Sequence, residues 1–88
     1  MSQPVTLEDE PQIHQTTEAK LVYMANQIAD FFASKPEAAA AEGVANHITR
    51  FWDPRMKQRM FAHFDATQGE GLRPAALKAI AQLRAAAG

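Results

Sequence analysis

From Thr17 onward the apolar positions of this chain recur with a helical period. Leu21, Met24, Ala25, Ile28, Phe31 and Phe32 fall at i, i+3, i+4, i+7, i+10 and i+11, which predicts one broad inward stripe. Thr16 or Thr17 can cap this first helix, and Glu18 sits where the positive end of the helix dipole favours an acid. The run Ser34-Lys35-Pro36-Glu37 ends it and starts the next. Pro36 disfavours helical geometry at Lys35, and Ser34 with Glu37 has capping-box spacing. The second helix is predicted over 36–51, with Ala41, Val44, Ala45, Ile48, Phe51 and Trp52 inward. Gly43 within it costs roughly 1 kcal/mol relative to Ala, so its early turns are expected to fray or begin late. The small residues from Ala38 to Gly43 would let another helix approach closely.

Asp53-Pro54 is the clearest boundary. Asp is a strong N-cap, and Pro at the first helical position has its φ pre-set and needs no partner for an N–H. A third helix follows, with Met56, Met60, Phe61 and Phe64 inward and Arg55, Lys57, Gln58 and Arg59 outward. Gln68-Gly69-Glu70-Gly71 ends it, the glycines permitting a left-handed cap. A fourth helix starts near Pro74, carries Leu77, Ile80, Ala81 and Leu83 as its apolar residues, and frays through Ala85-Ala86-Ala87. No strand-like alternation or hairpin dipeptide is present. The expected fold is an all-α compact bundle of about four short helices over 17–88, behind a flexible, disordered acidic N-terminal tail at 1–16.

Composition narrows the function classes. Eighty-eight residues make one small domain. No apolar run approaches the roughly 20 residues that span a bilayer, and the tail has neither the basic start nor the apolar region of a secretory signal. The chain has no Cys, which removes disulfides, thiolate zinc sites, iron–sulfur ligation and a Cys nucleophile, and suits a cytoplasmic location. Net charge is −1 but divided: residues 1–18 hold Glu8, Asp9, Glu10 and Glu18 with no Lys or Arg, while all nine basic groups lie in 19–88.

Catalytic groupings are missing. His14 lies in the tail, and His47 and His63 stand on different helices with no HExxH or paired-carboxylate spacing. His47 is expected at the edge of the core and His63 near the negative end of helix three. Ser2 is terminal and Ser34 reads as a cap, so a Ser nucleophile is not supported. Gly69-Glu70-Gly71 is too short to cradle phosphate. Two binding readings remain. Arg50, Arg55, Lys57 and Arg59 beside Phe51 and Trp52 could clamp phosphates and stack on bases, against a sequence pI near 6.3. The same segment, Arg50-Phe51-Trp52-Asp53-Pro54-Arg55-Met56, carries residue types enriched at the centres of protein interfaces.

The hexapeptide Phe51-Trp52-Asp53-Pro54-Arg55-Met56 resembles the delta subunit of soluble, NAD-dependent, molybdenum-containing formate dehydrogenase. So do Met24-Ala25-Asn26-Gln27-Ile28-Ala29-Asp30-Phe31-Phe32 and Ala45-Asn46-His47-Ile48, and the likeness spans about residues 20–83. It implies an accessory subunit that is not an enzyme by itself and holds no cofactor. In that family, formate is oxidised to carbon dioxide at a bis-molybdopterin guanine dinucleotide centre in a large alpha subunit. Electrons pass through iron–sulfur clusters and FMN to NAD in the beta and gamma subunits. The expected interface is Arg50, Phe51, Trp52, Arg55, Met56 and Arg59, docking on the alpha subunit. Arg50 and Arg55 would meet carboxylates and Trp52 would fill a pocket, while Ser34, Asp53 and Pro54 are caps. The alternatives are a transient maturation chaperone for molybdenum cofactor insertion and, from another class, a small nucleic-acid-binding helical domain. Neither nucleic acid nor membrane is the expected partner.

Overall fold

A computed structural model describes residues 17–88, and these form four α-helices with no strand among them. They are α1 (Glu18–Phe31), α2 (Glu37–Phe51), α3 (Pro54–Thr67) and α4 (Pro74–Ala87). The all-α bundle read from the pattern is therefore the fold. The expected tail, 1–16, lies outside the described residues.

Each boundary has a local cause. Thr17 caps α1, its hydroxyl accepting the Lys20 N–H at 3.2 Å, with Glu18 in the first turn. The expected Ser34 cap is not formed. The N-cap of α2 is Pro36, with no side-chain cap hydrogen bond, and the helix opens with the Ala40 N–H on the Pro36 carbonyl at 2.8 Å. Pro36 itself explains this. Keeping Lys35 out of the helical region pushes the start to Glu37, two residues too late for Ser34 to reach the first turn. Asp53 caps α3, its Oδ1 accepting the Met56 N–H at 2.8 Å, and Pro54 stands in the first turn. Only Trp52 and Asp53 separate α2 from α3.

The core is built from Leu21, Ala25 and Ala29 of α1, Ala40, Ala41, Val44 and Ile48 of α2, Trp52, Met60 of α3, and Ala76, Ala79 and Ile80 of α4. Helices α2 and α4 make the most extensive pairing, and most of their buried residues are Ala. Met56, Phe61 and Phe64 of α3 pack against this core, as expected. Gly43 does not fray α2, which is continuous through it. A Cβ there would lie 2.7 Å from two carbons of the Phe32 ring, so the missing side chain is the seat of that ring.

Two inward assignments are corrected. Phe31 is 80% exposed and Phe51 is 67% exposed. At roughly 100° per residue, Phe31 shares the flank of Met24 and Gln27, away from the Leu21–Ala25–Ala29 stripe. On α2 the stripe through Val44 and Ile48 continues at i+4 to Trp52, which leaves Phe51 on the side of His47.

The α3–α4 turn is held from a distance. Gln68 takes the left-handed cap conformation (φ 64°), followed by Gly69 and Gly71 at positive φ. The Asn26 amide donates to the Gly71 carbonyl at 2.9 Å, and its oxygen accepts the Arg73 N–H at 2.8 Å. The exposed ion pair Asp30–Arg73 (3.1 Å) lies beside this clamp, and Asp65–Arg84 (3.2 Å) ties α3 to α4. His63 sits in the same turn rather than acting only on the helix dipole. Its Nε2 lies 2.8 Å from the Glu70 carbonyl, which makes Nε2–H the donor. The Thr67 hydroxyl accepts the Glu70 N–H at 2.9 Å.

Candidate docking groove

Where α1 passes α2, the broad apolar stripe of α1 is only partly covered. Met24, Gln27, Ile28, Phe31 and Phe32 form one wall, and His47 and Trp52 the other, of a groove of about 520 Å³. Such a volume suits one large ligand group or the anchor side chains of a peptide. Its lining is apolar apart from Gln27, whose amide donates to the Tyr23 hydroxyl at 3.2 Å, and His47. Phe51 extends the surface on the far side of His47, their ring centroids 4.7 Å apart, and the Arg50 guanidinium lies 5.9 Å from the Phe51 centroid. Phe31 and Phe32 meet edge to face at 5.1 Å. Two exposed phenyl rings flanking an apolar groove exceed the scattered single apolar residues usual on a monomer.

The six residues expected at the interface divide into three groups. Arg50 and Phe51 are exposed beside the groove. Trp52 is only 5% exposed and belongs to the core, so in this geometry it presents the edge that lines the groove and does not project into a partner. Met56 is half-buried against the core. Arg55 and Arg59 are exposed on α3, around a shallow hollow with Glu18, Gln58 and Ala62, at the start of α1. Among the described residues none of Arg50, Arg55 and Arg59 is in a salt bridge, whereas Arg73 and Arg84 are. Lys57, the fourth basic group of that segment, turns back to the Thr49 carbonyl at 3.3 Å. The basic groups thus point several ways and do not form one stripe.

Sequence reasoning named no α1 residue at the interface: Met24, Ile28 and Phe31 were assigned to the core, at whose edge Met24 and Ile28 do pack, and Gln27 was passed over. The available signal was the width of the stripe, since a helix packed on one side cannot bury both Phe31 and Phe32. All three segments that carry the family resemblance converge here. Met24 to Phe32 supplies one wall, and His47 and Trp52 the other.

An apolar groove with exposed aromatic rings and arginines nearby combines the residue types enriched at protein interfaces. Among the described residues no group of three or more His, Asp or Glu is gathered to hold a metal ion. The chain belongs to the NADH-dependent formate dehydrogenase delta subunit family (FdsD), which it matches over residues 20–80. That span contains every residue of the groove and all six expected interface residues. Comparison with curated proteins and with solved structures returned no match. No helix among the described residues is long and apolar enough to cross a membrane.

Proposed function

We propose that this delta subunit is a non-catalytic accessory chain that docks on the large subunit of formate dehydrogenase and supports an active complex. The groove between α1 and α2 and its two exposed rings make the contact. The carrying observation is the exposure of Phe31 and Phe51 beside an apolar groove that the described residues leave open. Arg50 beside the groove, and Arg55 and Arg59 around the separate hollow on α3, would meet partner carboxylates, the guanidinium fork matching a carboxylate in two hydrogen bonds. With no Cys in the chain, the metal and electron-carrying groups fall to the partner subunits. A partner that binds only one form of the large subunit favours that form by mass action, which suffices for an accessory role without chemistry of its own.

The test is co-purification of the whole complex from cells carrying Phe31→Ser together with Phe51→Ser. Both side chains are exposed, so the helical content and unfolding midpoint of the isolated chain should hold within about 0.5 kcal/mol. Loss of each interface anchor should weaken association by about 2 kcal/mol, roughly 30-fold. Wild-type stoichiometry of the double variant in the purified complex would remove the groove from the interface.

A further inference from the structure

The described part of the chain begins beside the arginines. Glu18 borders the same hollow as Arg55 and Arg59, so the described residues start next to these two arginines. Moving along α1 from that end, the neighbours come in a fixed order. First are Arg55 and Arg59, opposite Glu18; then Trp52 and His47, opposite Met24 to Phe32; last Gly43, under the Phe32 ring. A strand running back along α1 therefore meets positive charge first and the apolar groove second. The chain preceding Glu18 has the matching order. Read backwards from Pro11, beyond Gln12, Ile13, His14, Gln15 and Thr16, come Glu10, Asp9 and Glu8, then Leu7 and Val5.

We propose that residues 5–10 of this chain occupy the groove in the free subunit, with Glu8, Asp9 and Glu10 against Arg55 and Arg59, and Leu7 and Val5 on the Met24–Ile28–Trp52 surface. The reach is sufficient. Helix rise places Met24 to Phe31 about 9–20 Å beyond Glu18. At about 3.3 Å per extended residue, Glu10 lies within roughly 26 Å of Glu18 and Leu7 within roughly 36 Å, leaving slack for the turn at Pro11. The charge balance agrees: the first eighteen residues hold four acids and no Lys or Arg, and the arginines they would face are in no salt bridge among the described residues. The segment is then an internal stand-in that covers Phe31 and the groove until a partner displaces it. It does not depend on which protein that partner is.

The sequence supplies its own probe, because a chain without Cys can be labelled at a single introduced thiol. The full chain carrying a nitroxide through Ser2→Cys is compared with its reduced form by amide NMR. Broadening should be confined to residues 20–32 and 44–59 and spare the C-terminal turns of α4. It should fade between about 10 mM and about 1 M salt, as the screening length falls from about 30 Å to about 3 Å. It should be lost in Glu8→Gln/Asp9→Asn/Glu10→Gln and in Val5→Ser/Leu7→Ser, neither of which touches the helices. Absent or uniform broadening overturns the proposal, as does groove-selective broadening that either variant leaves intact. Labelled chain mixed with unlabelled, isotope-enriched chain gives a further outcome. Broadening there would make a second copy the occupant, and would overturn the proposal. Failure of this experiment leaves the co-purification result untouched, so the two readings are separable.

Discussion

Asn26 is the side chain whose removal should be felt furthest from its own position. It lies in the middle of α1, yet both ends of its amide are spent on the turn before α4, at Gly71 and Arg73. A net contribution of about 0.5–1.5 kcal/mol per hydrogen bond puts Asn26→Ala at about 1–3 kcal/mol. Asn26 is half-buried, so water can replace part of what is lost, which places the expectation at about 1–2 kcal/mol. For a domain of this size that lowers the melting temperature by about 4–16 °C. The assay is a urea titration followed by Trp52 emission, since the chain has one Trp and it is buried in the core. Asn26→Asp should fall between the parent and Asn26→Ala. It keeps the acceptor for the Arg73 N–H, at a helix N-terminus that favours an anion, but turns an oxygen toward the Gly71 carbonyl. An Asn26→Ala midpoint within 0.5 kcal/mol of the parent, a threshold set by ordinary surface substitutions, would refute the reasoning.

Two further substitutions probe local causes. Gly43→Ala should fail to deliver the roughly 1 kcal/mol that helix propensity promises, because the new methyl meets the Phe32 ring at 2.7 Å. In a Phe32→Ala background the same change should stabilise by about that amount, so a double-mutant cycle should read a coupling of at least about 1 kcal/mol. Asp53→Ala should lose the Met56 N–H cap, about 1 kcal/mol, seen as a fall of about 4–8 °C in the thermal midpoint by circular dichroism.

The helices were legible because their signals are local. The period of α1, the Asp53-Pro54 start of α3 and the Pro74 start of α4 are each written within a turn of where they act. Ser34 shows the limit even there, since two local signals competed and the proline won. What was not legible depends on neighbours distant in sequence. Asn26 meets Gly71 across 45 positions, and no pattern around Asn26 announces it. The width of the α1 stripe was visible, but which edge stays uncovered depends on where α2 crosses. For the same reason Phe31 and Phe51 read as core: periodicity says which residues share a side, not how much of that side another helix covers. Trp52 stood at a helix end, where inside and outside are equally open to a sequence reader. The i+4 step from Ile48 decides it.

The composition of the core bears on how much an occupant of the groove can add to stability. Half of the twelve buried apolar residues are Ala, among them Ala40 and Ala41 of α2 and Ala76 and Ala79 of α4. Phe31 and Phe51 stand apart from that pairing, Phe31 on the flank of α1 and Phe51 beside His47 on α2. Such a core buries little area per residue, and a domain this short hides only about 60% of its unfolded surface in any case. Its own stability is accordingly modest, and an occupant of the groove that binds only the folded chain adds to it directly. At a free concentration 100 times the dissociation constant, the gain is about 2.7 kcal/mol. A bundle with so many small core side chains, and with Phe31 and Phe51 exposed beside a groove, folds more firmly once another surface covers those rings.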